Sequence, residues 1–189
     1  MKLKMKHIKK TPNLLDLYNL IKEDTKPKYI IFCDLDGVLV DFDKGYQKLT
    51  GKPTHHADVQ VKKEFWKTFN DSIKTQNTSE FKYWSELEWM SDGKQLWNYI
   101  KSYNPYILTA PTYNPESKEG KTVWVNNNLT NFKKLYFKSA ATKSEYSHKN
   151  RILIDDRAAT IDEWNAKGGI GILHTNALNT IKQLKQLGL

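Results

Sequence analysis

Five short apolar runs, separated by amphipathic or turn-rich sequence, constrain this chain more than any other feature. They are KYIIFCDLD (28–36), YILTA (106–110), KKLYF (133–137), RILIDD (151–156) and GIGIL (169–173). An apolar run without polar alternation fits a strand buried on both faces, as in a parallel sheet. The stretches between the runs carry helical spacing. Thr11-Pro12 opens a short amphipathic helix through Leu14, Leu17, Tyr18 and Ile21, and Ser91-Asp92 caps another with Leu96, Trp97 and Ile100 that ends before Asn104-Pro105. A third helix crosses about 116–129 with Val123 and Trp124. A fourth, through Ile161 and Trp164, stops at Gly168-Gly169, and a last one carries Leu178, Ile181, Leu184 and Leu187. Strands alternating with helices predict an α/β fold, a Rossmann-like three-layer sandwich around a mostly parallel sheet.

The segment from 43 to about 91 breaks this alternation. It is rich in Lys and aromatics, with helical spacing in Val61, Phe65, Trp66 and Phe69. The expected organisation is a basic tail and helix over 1–27, a core domain over 28–42 and 92–189, and a small helical cap over 43–91.

Composition narrows the partners. With 189 residues, 39% of them hydrophobic, the chain can bury a core of its own. No stretch reaches 18 uncharged apolar residues, so no membrane contact is expected. The single cysteine, Cys33, excludes an internal disulfide and fits a reducing, cytoplasmic compartment. The run LLDLYNLI is interrupted by Asp16 and lacks a small-residue cleavage site, so a signal peptide is not expected. The net charge is +9, yet 28 of the 30 basic residues are Lys, and only Arg151 and Arg157 supply the planar fork that reads bases or clamps phosphates. Five lysines (Lys2, Lys4, Lys6, Lys9, Lys10) lie in the first ten residues, which hold no acid and carry more than half of the excess. That tail reads as solvated, with nucleic acid as a secondary partner.

The ends of the apolar runs carry the chemistry. In open α/β sheets ligands bind beyond the C-terminal ends of the strands. The first run closes with Asp34-Leu35-Asp36-Gly37, the second with Thr109, and the fourth, preceded by Lys143, with Asp155-Asp156. Carboxylates gathered in so small a volume repel one another and raise each other's pKa unless a cation lies between them. An all-oxygen donor set suits a hard divalent ion such as Mg²⁺. The spacing adds a further point, because Asp34 and Thr109 are 75 residues apart whereas one βαβ crossover needs only about 30. The excess falls in the aromatic segment, as an insertion over the site would.

This ordered set, Asp-x-Asp, Thr, Lys and Asp-Asp, resembles the four motifs of the haloacid dehalogenase (HAD) superfamily of phosphatases and phosphotransferases, from Tyr29 to about His174. The resemblance implies that Asp34 is a nucleophile forming an aspartyl-phosphate. It implies that Asp36 protonates the leaving oxygen and then deprotonates water. Thr109 and Lys143 would hold the phosphoryl oxygens. Mg²⁺ would be held by Asp34, the backbone carbonyl of Asp36 and Asp156, with Asp155 behind them. An acid at Asp36 favours phosphoryl chemistry, since members that cleave carbon–halogen bonds lack it.

Within the superfamily the chain is similar to the 5′(3′)-deoxyribonucleotidases, on DLDGVLVDF (34–42), Phe65-Trp66, LTAP (108–111), GKTVWV (120–125) and LIDDR (153–157). That likeness implies a substrate pocket lined by Phe42, Phe65, Trp66 and Ala110, and a (deoxy)nucleoside 5′-monophosphate substrate. Two departures fall where base and sugar would be read: Lys67 follows Trp66, and Ser139-Ala140-Ala141-Thr142 lacks an Arg two before Lys143. Two other functions stay open at this point, a phosphatase of nucleic-acid ends and a catalytically idle HAD-like binding protein. Monomer and homodimer are both open. His55-His56 reads as a solvated loop, Cys33 as a small core residue, and Trp84, Trp89, Trp97, Trp124 and Trp164 as packing.

Overall fold

The computed structural model describes residues 28–54 and 59–189, together with Leu14. The basic tail, the helix expected from Thr11 and the His55-His56 pair lie outside the described residues. Five strands, β1 (Ile30–Cys33), β2 (Tyr106–Thr109), β3 (Lys134–Phe137), β4 (Arg151–Asp155) and β5 (Ile170–Leu173), form one sheet in the order β3-β2-β1-β4-β5. Every pairing is parallel; Ile31 stands beside Ile152 and Phe32 beside Tyr106. The chain moves outward through β2 and β3, then returns to place β4 on the other side of β1. The crevice where ligands bind in such sheets therefore opens beyond β1 and β4.

Around the sheet stand α1 (Phe42–Thr50), α2 (Val59–Thr75), α3 (Glu80–Ser85), α4 (Gly93–Ile100), α5 (Pro115–Asn128), α6 (Ala158–Ala166) and α7 (Ala177–Gln186), with a 3₁₀ segment at Ala140–Tyr146. Strand alternation divides the core between two faces. Ile31, Cys33, Ile107, Ile152 and Ile154 pack with Leu96 and Ile100 of α4, Trp124 of α5 and Leu184 of α7. On the opposite face Phe32, Leu108 and Leu153 pack with Ile161 and Trp164 of α6. The expected three-layer sandwich is what forms.

The helical segment between β1 and α4 has a cluster of its own, with Tyr46, Leu49 and Phe69 buried and Phe42, Phe65 and Tyr83 against them. Helix α3 lies close along α5 because Gly120 presents no side chain there: a Cβ at that position would stand 2.5 Å from the Phe81 carbonyl oxygen. One expectation from periodicity fails locally. Leu178 is 68% exposed, and Ala177 and Leu184 make the buried face of α7 instead. Among the described residues, no helix is long and apolar enough to cross a membrane.

Candidate active site

The first apolar run ends as a strand at Cys33, and the chain then turns tightly. The amides of Val38, Leu39 and Val40 all donate to the Leu35 carbonyl (3.1, 2.8 and 2.9 Å), and Gly37 takes the left-handed conformation at φ +74°. Glycine is required there twice over, because a Cβ would lie 2.3 Å from Asp156 Oδ2. This turn aims Asp34 and Asp36 out of the sheet while β4, paired to β1, delivers Asp155 and Asp156 alongside.

Asp34 is buried; its Oδ1 accepts from the Leu35 amide at 2.8 Å and its Oδ2 stands 2.7 Å from Lys143 Nζ. Lys143 is only 2% exposed and reaches Asp155 Oδ2 at the same 2.7 Å. Burial pulls its ammonium down, but Asp34 and Asp155 more than offset that, and it stands above the usual lysine value. Asp155 has no exposed surface, and its Oδ1 accepts from the Arg157 amide at 3.0 Å. Burial, and then the Asp34 charge, hold it above the ordinary carboxylate range. Asp156, nearer solvent, is pushed up to about 7 by burial first and by Asp34 and Asp155 next.

These shifts mark a site with surplus negative charge. Asp34, Asp155 and Asp156 each offer one carboxylate oxygen, and the three oxygens lie within 4.8 Å of one another. A hard divalent cation fits that donor set, and its charge would offset the repulsion that raises the two β4 acids. Both oxygens of Asp34 and of Asp155 already have partners, and Asp156 is the exposed member of the three.

A cavity of about 660 Å³ opens over this cluster. Asp34, Asp36, Lys143 and Asp156 form its floor, and Phe42, Phe65, Trp66 and Ala110 line it, so eight of the sequence-selected residues share one space. Asp155 lies behind the floor. Thr109 is fully buried and outside the lining, with its Oγ1 accepting from Lys121 Nζ at 3.1 Å. Trp66 is 39% exposed at the rim, edge-on to Phe65 with ring centroids 5.0 Å apart. Lys67 turns away and donates to Asp71 at 3.3 Å. Cys33 is fully buried, and burial pushes its thiol well up, so the core reading of that residue holds.

Three features escaped the sequence. Trp84, expected as packing, is buried yet also walls the cavity, stacked on Phe42 at 5.4 Å. Arg157 lines the cavity beside Asp156. Lys121 is 2% exposed, forms an ion pair with Asp36 Oδ2 and stands 4.4 Å over the Trp84 ring. A signal for Lys121 was present: it lies three and four residues before Trp124 and Val125, on the stripe that α5 buries.

No family model matches the chain, and no curated protein matches it. Solved structures do. A hydrolase from Streptococcus pneumoniae TIGR4 is 15% identical over 84% of this chain and 100% of its own, with a TM-score of 0.51. A HAD-superfamily hydrolase from Ehrlichia chaffeensis is 14% identical over 87% of this chain and 98% of its own, with a TM-score of 0.48. Identities this low speak to the fold alone. Together with the five parallel strands in the order β3-β2-β1-β4-β5, the likeness to the Streptococcus pneumoniae structure shows an α/β fold shared with that hydrolase.

Proposed function

We propose that the protein is a Mg²⁺-dependent phosphatase that hydrolyses (deoxy)nucleoside 5′-monophosphates through a phosphoryl group carried on Asp34. The observation that carries the reading is the juxtaposition of buried Asp34, held against Lys143, with Asp36 at the floor of an aromatic-walled cavity. In this reading an Asp34 carboxylate oxygen attacks phosphorus in line with the ester bond. Lys143 neutralises charge developing on the phosphoryl oxygens. Asp36 gives its proton to the departing nucleoside oxygen, then takes one from the water that cleaves the acyl phosphate. Burial raises the Asp36 carboxyl above its ordinary value, and the charge and hydrogen bond of Lys121 oppose that rise. Thr109, buried behind Ala110, would act by holding the β2 end and Lys121.

Mg²⁺ would be held by Asp34, the Asp36 carbonyl and Asp156, with Asp155 behind, and when bound it supplies positive charge to the phosphoryl oxygens. The segment 43–91 is assigned as the cap that excludes water from the cavity, and its own small core supports that division. In this reading a nucleobase stacks against the aromatic wall that Phe42, Phe65, Trp66 and Trp84 form, where each stacked base contributes about 1–3 kcal/mol.

The test is phosphate release from dNMPs, NMPs, sugar phosphates, and 5′- and 3′-phosphorylated oligonucleotides, each with Mg²⁺ and with EDTA. Fastest release from dNMPs, abolished by EDTA, is expected. Faster release from oligonucleotide ends with a steep salt dependence would replace the substrate assignment.

Metal binding has a separate readout in stability. Asp156 sits at about 7 when folded against its ordinary 3.8, so between those values the folded protein holds a proton that the unfolded chain has lost. Its contribution to stability is present below pH 3.8 and disappears as pH rises through 7. A divalent ion offsets that loss above pH 7 and competes with the proton below it. Saturating Mg²⁺ is therefore expected to raise the melting temperature by several degrees at pH 8 and by less at pH 6. No shift at pH 8 would overturn the metal assignment.

A further inference from the structure

We propose that Lys121 is a positioning residue that sets the Asp36 carboxyl for proton transfer to the leaving oxygen. The inference rests on the phosphatase reading above. Lys121 comes from the buried face of α5, 85 residues from Asp36 in sequence, and its ammonium is enclosed by three groups from separate elements. It is ion-paired with Asp36 Oδ2, it donates to Thr109 Oγ1 at 3.1 Å, and it stands 4.4 Å over the ring of Trp84. A buried ammonium is costly unless its donors are met, and here Asp36 Oδ2, Thr109 Oγ1 and the Trp84 ring meet them at the edge of the cavity.

Among the described residues two lysines are buried, and they contact different acids. Lys143 lies between Asp34 and Asp155, on the side of the nucleophile and the metal cluster. Lys121 stands apart from that pair and holds Asp36, whose side chain is 28% exposed and turned to the cavity. Among the described residues, Lys121 is the group that donates to the Asp36 carboxylate. Without it, Asp36 keeps its backbone place in the turn but loses the contact that selects one side-chain rotamer. Thr109 and the Trp84 face fix the Lys121 Nζ in turn, so the end of β2 and the aromatic wall both bear on where the acid points.

The chemistry affected is one proton. As the phosphorus–oxygen bond breaks, its electron pair leaves with the nucleoside oxygen, which takes the proton held by Asp36. A nucleoside alkoxide needs that proton, whereas p-nitrophenolate leaves without one. A purely structural role for Lys121 would lower both reactions by the same factor. A positioning role lowers only the reaction that uses the proton.

The experiment compares wild type with Lys121→Met on a deoxynucleoside monophosphate and on p-nitrophenyl phosphate. Since a placed general acid is worth about 10²–10⁴-fold, the kcat loss on the nucleotide is expected to exceed that on the aryl phosphate by roughly ten- to a hundredfold. In an Asp36→Asn background, Lys121→Met is expected to add no further discrimination. Equal losses on the two substrates, or no loss, would overturn the assignment. Should Lys121→Met not fold, Lys121→Arg keeps the buried charge and carries the same comparison. Its planar fork cannot place one nitrogen among all three groups, so it too should slow the nucleotide more, and an unchanged ratio would overturn the proposal. Wild type inactive on both compounds would overturn the phosphatase reading itself, a result distinct from equal losses in an active enzyme.

Discussion

Replacing Asp34 by Asn is expected to abolish phosphate release, with kcat falling on the order of 10³-fold or more, while the protein stays folded. The loss follows from the role, because a carboxamide oxygen neither attacks phosphorus usefully nor leaves from it, and removing a nucleophile takes away the covalent route itself. The fold survives because Asn has the same volume and its Oδ1 can still accept the Leu35 amide that Asp34 accepts at 2.8 Å. Lys143 loses one partner but keeps Asp155 at 2.7 Å. After burial, the Asp34 charge is the main influence that raises Asp155 and Asp156, so its neutralisation relaxes both. A melting temperature within a few degrees of wild type is therefore expected, alongside lost activity and weaker Mg²⁺ stabilisation. Phosphate release retained by a folded Asp34→Asn protein would remove Asp34 as nucleophile. Wild-type enzyme quenched with hydroxylamine during turnover should yield a hydroxamate at residue 34.

That outcome depends on residues the sequence displayed openly. Asp34, Asp36, Thr109, Asp155 and Asp156 were legible because each closes an apolar run, and Lys143 because it precedes the fourth run and completes the ordered set that carries the resemblance. The strand order was not legible: only the pairing of β1 with β4 brings Asp34 beside Asp155. Phe42, Phe65, Trp66 and Ala110 were legible through family likeness, and all four line the cavity. What stayed hidden depends on tertiary approach. Lys121 meets Asp36 across 85 residues; its spacing before Trp124 and Val125 puts it on the buried stripe of α5 but does not name its partner. Trp84 looked like packing because it is packing, and its place in the cavity lining shows only once Phe42 is seen stacked 5.4 Å from it. Leu178 failed because apolar residues spaced by three drift by about 60° per step round a 3.6-residue helix, which carries Leu178 off the face that buries Ala177 and Leu184.

Lys143 is the residue whose loss the fold itself should register most strongly. Lys143→Met keeps most of the side-chain volume and removes the charge that lies 2.7 Å from both Asp34 and Asp155. Asp155 has no exposed surface, so it is left as a buried anion without its counter-charge, a situation that costs about 3–5 kcal/mol. For a chain of this size that corresponds to a drop of roughly 10 °C in melting temperature. The sign of the pH dependence separates this cause from simple mispacking. Asp155 is already held above its ordinary value with Lys143 opposing the shift, so without Lys143 it rises further. A proton then neutralises it as pH falls, and the destabilisation is expected to be full at pH 8 and smaller at pH 5, measured by denaturant unfolding of both proteins. A cavity or strain would give the same loss at both pH values, and that result, or a loss below about 1 kcal/mol, would contradict the electrostatic account. The pair also predicts coupling: Asp34→Asn removes one of the two stranded carboxylates, so the double variant should be less destabilised than Lys143→Met alone. Lys143 would then be at once the group that lets these acids be buried together and the cation that meets the phosphoryl oxygens, so substitutions that keep the fold without it should leave kcat low.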